Sequence, residues 1–193
     1  MRVCVFAASS ASIAPAYFAD AVKLGELLAD EGHSLVFGGG REGLMGAVAQ
    51  GVFSRGGHLT GIVPRFFDEP GVLFEHCDEM LFTETMRERK QLMDDRADAF
   101  IVLPGGIGTF EEFFEILTLK QLGKHGRAIL LMNTSSYFDP LCRFIEASVE
   151  QGFISRSCLA LYQAAGTPDE ALRLLKNYTP QTGNRKRLSD YNK

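Results

Sequence analysis

Short, uninterrupted apolar runs alternate along this 193-residue chain with longer stretches of helical periodicity, and glycine and proline crowd the turns between them. No other feature limits the fold as severely. A run such as Val3–Phe6 or Ala99–Leu103 has no polar face and must be covered on both sides. Strands of that kind belong in parallel sheets, where the crossover helices supply the cover. The order reads as strand Val3–Phe6, helix Ala16–Glu31 closed by Gly32, strand Leu35–Phe37 leading into Gly38-Gly39-Gly40, and helix Leu44–Ser54. Strand Leu59–Val63 stops at Pro64, and an irregular segment, Phe66–His76, precedes strand Met80–Phe82 and helix Met86–Asp95. Strand Ala99–Leu103 ends at Pro104, then come helix Phe110–Leu122, strand Ala128–Met132, helix Tyr137–Gln151 and a last helix after Thr167. Thr167 can cap that helix, Pro168 suits its first position, and Asp169-Glu170 complement its positive end. The alternation predicts an α/β protein with one parallel sheet, helices on both faces, and ligands at the carboxyl ends of the strands.

Hydrophobic residues make up 46% and charged residues 23%, which fits a globular chain and excludes a disordered or collagenous one. The length suits one domain, expected over residues 1–180. A polar C-terminal tail, 181–193, carries Arg185, Lys186, Arg187 and Lys193 against Asp190. The net charge of −4 argues against a partner that is a nucleic acid polymer. No signal-peptide core and no run near ~18 apolar residues occurs, so a cytoplasmic protein without a membrane partner is expected. Cys4, Cys77, Cys142 and Cys158 form no C-x-x-C pair and read as reduced thiols. His33, His58, His76 and His125 are scattered without ligand spacing, so no metal site is expected.

Two glycine-rich turns follow strands. In the first, Gly38, Gly40 and Gly43 match G-x-G-x-x-G, but after the second strand rather than the first. Tight packing and a nucleotide site both remain open there. The second turn, Leu103-Pro104-Gly105-Gly106-Ile107-Gly108-Thr109, leads into a helix. Glycines let backbone N–H groups approach a ligand, and the helix start adds partial positive charge, which together suit a phosphate. No Gly-Lys-Ser/Thr follows, which argues against a Walker loop. Glu112 has two readings: partner of Thr109 in a capping box, or a carboxylate turned inward. At ~100° per residue Glu112 shares a face with Ile116 and Leu119, whereas Glu111 lines up with Glu115 and Thr118. Further back, Met86 and Met93 share a helix face flanked by Arg89 and Lys90, while Arg87, Glu88 and Gln91 point elsewhere. Arg89 falls between Leu92 and Met93, so it is expected to be partly buried beside an anionic partner. A phosphorylated sugar would place its phosphate on Gly105–Thr109 and its ring beside Glu112.

Pro104-Gly105-Gly106-x-Gly108-Thr109-x-x-Glu112, Met86-x-x-Arg89-Lys90-x-x-Met93 and Gly38-Gly39-Gly40-x-x-Gly43-Leu44-Met45-Gly46 resemble the motifs of the LOG (LONELY GUY) family. Gly61-Ile62-Val63-Pro64 and Gln121-Leu122-Gly123 fit as well, and the resemblance runs from about Val3 to Leu175. Members are cytokinin riboside 5′-monophosphate phosphoribohydrolases, often labelled lysine decarboxylase-like. The resemblance implies a Rossmann-like three-layer α/β/α fold, a homodimer or larger homo-oligomer, and no cofactor. It implies cleavage of the N-glycosidic bond of a nucleoside 5′-monophosphate, a cytokinin riboside 5′-monophosphate or AMP, to free base and ribose 5-phosphate. It makes Arg89 and Glu112 catalytic, and gives substrate contacts to Lys90, Gly105, Gly106, Ile107, Gly108, Thr109, Gly39, Gly40, Met86, Ser10 and Thr118. Ala7-Ala8-Ser9-Ser10 stands where the family often has Cys-Gly-Ser-Ser, Arg87 stands where it often has His, and the loop Phe66–His76 differs from the common form, leaving Glu69 as the nearest acidic contact. Lysine decarboxylation is rejected, because Lys90 is the only lysine in the candidate site and has no evident pyridinium partner nearby. The rival functions are a nucleotide-binding module without turnover and a general purine-nucleotide phosphoribohydrolase.

Overall fold

The computed structural model describes residues 1–181 and Gly183; the charges of the C-terminal tail lie outside that range. Seven strands are present, β1 (Arg2–Phe6), β2 (Ser34–Phe37), β3 (Leu59–Pro64), β4 (Glu79–Thr83), β5 (Ala99–Val102), β6 (Ala128–Met132) and β7 (Gln163–Ala165). They form one sheet in the order β4-β3-β2-β1-β5-β6-β7, parallel at every pairing. The α-helices among the described residues are α1 (Pro15–Asp30), α2 (Gly43–Ser54), α3 (Met86–Arg96), α4 (Ile107–Gln121), α5 (Asp139–Glu150) and α6 (Pro168–Lys176). This is the α/β three-layer arrangement expected.

Period-two alternation divides the sheet's side chains between two cores. Val3, Val5, Leu35, Phe37 and Ile101 pack under α1, α2 and α6, where they meet Leu24, Leu28, Val48, Val52 and Leu175. Cys4, Phe6, Val36, Phe100 and Val102 pack on the other face, against Met93, Phe113, Ile116 and Ile145. The α1–α2 crossing is close because both helices carry glycine at the contact: a Cβ on Gly25 would meet the carbonyl of Val48 and lie 2.9 Å from the Val52 nitrogen.

The chain's direction of travel along the sheet reverses at β1, which pairs β2 on one side and β5 on the other. A crevice opens at such a switch point, beyond the carboxyl ends of the strands. Ala8 fixes its floor, donating to the Pro104 carbonyl at 3.1 Å and accepting from the Met45 nitrogen at 3.2 Å, so both glycine-rich turns are tied to the loop after β1.

The boundaries differ from expectation in two informative places. The segment β7 has only three residues, two of them exposed, and lacks the apolar run that marks a buried strand. Helix α4 begins at Ile107, three residues before Phe110, because Gly106 takes the N-cap position with extended backbone. Thr109 therefore sits inside the first turn, and the Thr109–Glu112 capping box does not form. A box does form at α3, where Thr85 Oγ1 accepts from the Glu88 nitrogen at 3.2 Å and Glu88 accepts from the Thr85 nitrogen at 3.1 Å. Glu88 thus points away from the Met stripe, as expected. Thr167 caps α6 as read, accepting from the Glu170 nitrogen at 3.2 Å.

Candidate active site

The crevice holds a cleft of about 500 Å³, within the ~300–1,000 Å³ usual for small-molecule sites. On one side lie Gly106, Ile107, Gly108 and Thr109, the first residues of α4 and its cap. The first bond of that helix runs from the Phe110 nitrogen to the Gly106 carbonyl at 3.0 Å. The N–H groups of Ile107, Gly108 and Thr109 have no partner within the helix, as at any helix start. A Cβ at Gly106 or Gly108 would meet no atom within 4 Å among the described residues, so both glycines face open space. Gly105 is different. Its Cα is packed against the Thr109 side chain and the Ala8 nitrogen, and it takes no part in the cleft lining.

The floor of the cleft is an ion pair. Arg89 Nη1 donates to Glu112 Oε1 at 2.7 Å, and each side chain is only 11% exposed. Arg89 Nε also donates to the Ile62 carbonyl at 3.3 Å, which fixes the guanidinium from a second direction. Burial pushes the Glu112 carboxyl above the ordinary glutamate range, and the charge of Arg89 and its hydrogen bond pull it back. The face assignment made from helical angle holds: Glu112 and Ile116 are buried, while Glu111, Glu115 and Thr118 are exposed.

The opposite wall is apolar, formed by Met45, Val63, Phe67, Val72, Leu73 and Met86. The segment after β3 folds back over the first glycine turn to provide much of it. A bridge pairs Gly40 with Leu73, Arg41 donates to the Val72 carbonyl at 3.0 Å, and Phe74 donates to the Gly39 carbonyl at 2.8 Å. This wall was not read from the sequence. Its residues come from four separate segments, and only Met45, Val63 and Met86 stood in noted motifs.

Of the expected substrate contacts, Gly40, Met86, Gly106, Ile107, Gly108 and Thr109 line the cleft together with Arg89 and Glu112. Five others lie outside the lining, Gly105 as described above and four more. Lys90 pairs with Glu111 and with Glu115, the latter at 2.9 Å, and lines a second hollow of about 260 Å³ behind Glu112. The reason is one of helical angle: Arg89 and Lys90 are ~100° apart, so one reaches the crevice and the other reaches the outer face of α4. Thr118 lies on that exposed face. Ser10 is exposed and accepts from the Ser12 nitrogen at 3.2 Å, while its neighbour Ser9 lines the cleft. Gly39 turns its Cα toward the Val63 side chain with φ +73°. Glu69 is exposed and outside the lining. Among the described residues, no group of three or more His, Cys, Asp or Glu is arranged to hold a metal ion, and no helix is long and apolar enough to cross a membrane.

Residues 45–175 match the family model described as "Possible lysine decarboxylase". Cytokinin riboside 5′-monophosphate phosphoribohydrolase LOG2 of Arabidopsis thaliana is 38% identical over 180 residues, covering 93% of this chain and 84% of its own. LOG3 of the same plant, which carries the same enzyme name, is 40% identical over 179 residues, covering 93% and 83%. Among solved structures, the molybdenum cofactor carrier protein of Chlamydomonas reinhardtii superposes with a TM-score of 0.70 at 20% identity, over 91% of this chain and 95% of that one. The protein TM1055 gives 0.70 at 22% identity, over 92% and 99%. At those identities the two structures show a shared fold.

Proposed function

The chain belongs to the LOG family of cytokinin riboside 5′-monophosphate phosphoribohydrolases, and from that premise we propose how its cleft carries out the reaction. The protein is a hydrolase of the N-glycosidic bond of a nucleoside 5′-monophosphate, releasing free base and ribose 5-phosphate. The substrate phosphate sits on the N–H groups at the start of α4, where the helix dipole and two open glycines favour an anion. The ribose then lies over Glu112, and the base lies against the apolar wall.

The single observation that carries this reading is the buried Arg89–Glu112 pair one turn beyond a set of helix-start amides that no helical carbonyl engages. A module that only held a phosphate would need the amides and not the carboxylate. Cleavage of a glycosidic bond passes through an oxocarbenium-like state, which a carboxylate at close range stabilises. As the C1′–N bond breaks, its electron pair leaves with the base, which takes up a proton from solvent, balanced by the one that Glu112 later returns to solvent. Water adds to C1′ and gives its proton to Glu112, leaving a hydroxyl on ribose 5-phosphate. Arg89 holds Glu112 ionised and oriented. Schiff-base chemistry needs a lysine at the reacting carbon, and among the described residues none lines the cleft. In the same reading, AMP competes with cytokinin nucleotides for the cleft, and the enzyme works in the cytoplasm as a homodimer or larger homo-oligomer.

The test incubates pure protein with AMP and, separately, with isopentenyladenosine monophosphate, and follows released base by chromatography. The Glu112→Gln protein should keep its fold and lose about 10²–10⁴-fold in kcat. Near-normal turnover in that variant removes the role from Glu112, and binding without release from either nucleotide makes the protein a carrier.

A further inference from the structure

The amide cradle is itself held in place from outside the motif. Gly105 has no side chain to fix its peptide, yet its carbonyl accepts a hydrogen bond from the Tyr137 hydroxyl at 2.6 Å. In a trans peptide the carbonyl of one residue and the N–H of the next point in opposite directions, and no cis bond occurs among the described residues. Pinning the Gly105 oxygen on the Tyr137 side therefore turns the Gly106 N–H the other way, toward the cleft that Gly106 lines. We propose that Tyr137 is a positioning residue for the phosphate seat, acting through the Gly105–Gly106 peptide.

The loop that delivers Tyr137 looks built for the purpose. It follows β6, the neighbour of β5, so it emerges beside the Gly105 turn at the same end of the sheet. Ser135 and Ser136 both adopt left-handed backbone, with φ of 52° and 59°. Residues other than glycine rarely hold that conformation unless their surroundings impose it. Here the surroundings do. Asn133 Oδ1 accepts from the Phe138 nitrogen at 2.7 Å, and Asn133 Nδ2 donates to Asp139 at 2.8 Å. Thr134 Oγ1 donates to Asp20 on α1 at 2.6 Å. The Tyr17 ring meets the Tyr137 ring edge-on at 6.1 Å. The ring is thus held from α1 and from its own loop, while its hydroxyl reaches Gly105.

The inference rests on the phosphate seat assigned above, and its test can be separated from that assignment. Tyr137→Phe keeps the ring and deletes the hydrogen bond. It should raise KM about three- to tenfold with kcat little changed, as the loss of one positioning hydrogen bond predicts. The dissociation constants of ribose 5-phosphate and of inorganic phosphate should rise by a similar factor, and amide exchange at Gly106 should quicken. The melting temperature should hold, which distinguishes loss of the seat from loss of the fold. Unchanged KM and unchanged phosphate affinity, or a fall in kcat at constant KM, overturns the assignment. A wild-type protein that cleaves no nucleoside monophosphate defeats the functional reading, while the phosphate affinities still decide for or against Tyr137.

Discussion

The two glycine-rich turns follow β2 and β5, which flank β1, at the carboxyl end of the sheet and look alike in sequence, but most of their glycines serve opposite ends. In the first turn the missing side chains make room for the protein itself. A Cβ on Gly38 would strike the Arg89 guanidinium and lie 2.9 Å from the Met45 sulfur, and one on Gly43 would meet the backbone of Ala8 and Ser9. In the second turn, Gly106 and Gly108 face open space. A glycine crowded by its own chain is a packing device, and a glycine beside a void is a seat for something else. Two of the three glycines in the G-x-G-x-x-G pattern of the first turn, Gly38 and Gly43, thus have a packing cause, while Gly40 meets only ordinary contacts at 3.5 Å and lines the cleft. The contribution of Gly38 to chemistry is indirect: it is the gap that Arg89 occupies on its way to Glu112.

That difference gives the largest expected effect outside Glu112 itself. Gly38→Ala places a methyl where the guanidinium lies. The obstructed atom is the tip of a flexible side chain, so the fold should accommodate it with little change in melting temperature. Arg89 should be displaced from Glu112, and a shift of that size beside the reacting centre costs about 10²-fold in kcat. Steady-state kinetics together with a thermal melt check both halves. A Gly38→Ala enzyme with wild-type kcat would show that the crowding at Gly38 has no bearing on the ion pair.

Much of this contrast was legible in the sequence, and the remainder was hidden for physical reasons. Helical angle alone turned Glu112 inward and Glu111 outward, and it placed Arg89 in need of an anion. The identity of that anion follows from topology: α3 and α4 both pack over β1 on one face, which no local pattern states. Two open glycines at 106 and 108 suggested loop rather than helix, since glycine is the poorest helix former after proline, so α4 was expected to start too late. Its true start is what exposes the amides. The apolar wall and the Tyr137 contact join segments far apart in the chain, and residues such as Phe67 and Tyr137 carry no mark of their partners.

The two turns should also separate in their response to pH. Glu112 must be ionised to stabilise a cation, and burial raises its proton affinity above that of an ordinary glutamate. Activity should therefore fall as pH drops through a range higher than ordinary glutamate titrates, and kcat/KM should lose about tenfold per pH unit below it. The charge of Arg89 opposes the shift. Displacing it in Gly38→Ala should raise the carboxyl further and move the acid limb to higher pH. A pH profile of each protein decides this, and a limb unmoved in Gly38→Ala would mean that Arg89 still holds Glu112.

The smallest effect belongs to the open turn. Gly108 lies within the first turn of α4 with ordinary backbone and no neighbour within 4 Å of its missing Cβ. Alanine is intrinsically better in a helix by up to about 1 kcal/mol, so Gly108→Ala should melt slightly higher than the wild type. The same methyl would project beside the amides that take the phosphate. KM should rise several-fold, by roughly the ~1 kcal/mol of one weakened hydrogen bond, with kcat and the acid limb unchanged. The sign of the comparison is what matters: the crowded glycine, when filled, should cost turnover and shift the pH profile, whereas the open one should cost affinity while the fold gains stability. Tighter nucleotide binding in Gly108→Ala would place the phosphate away from the start of α4.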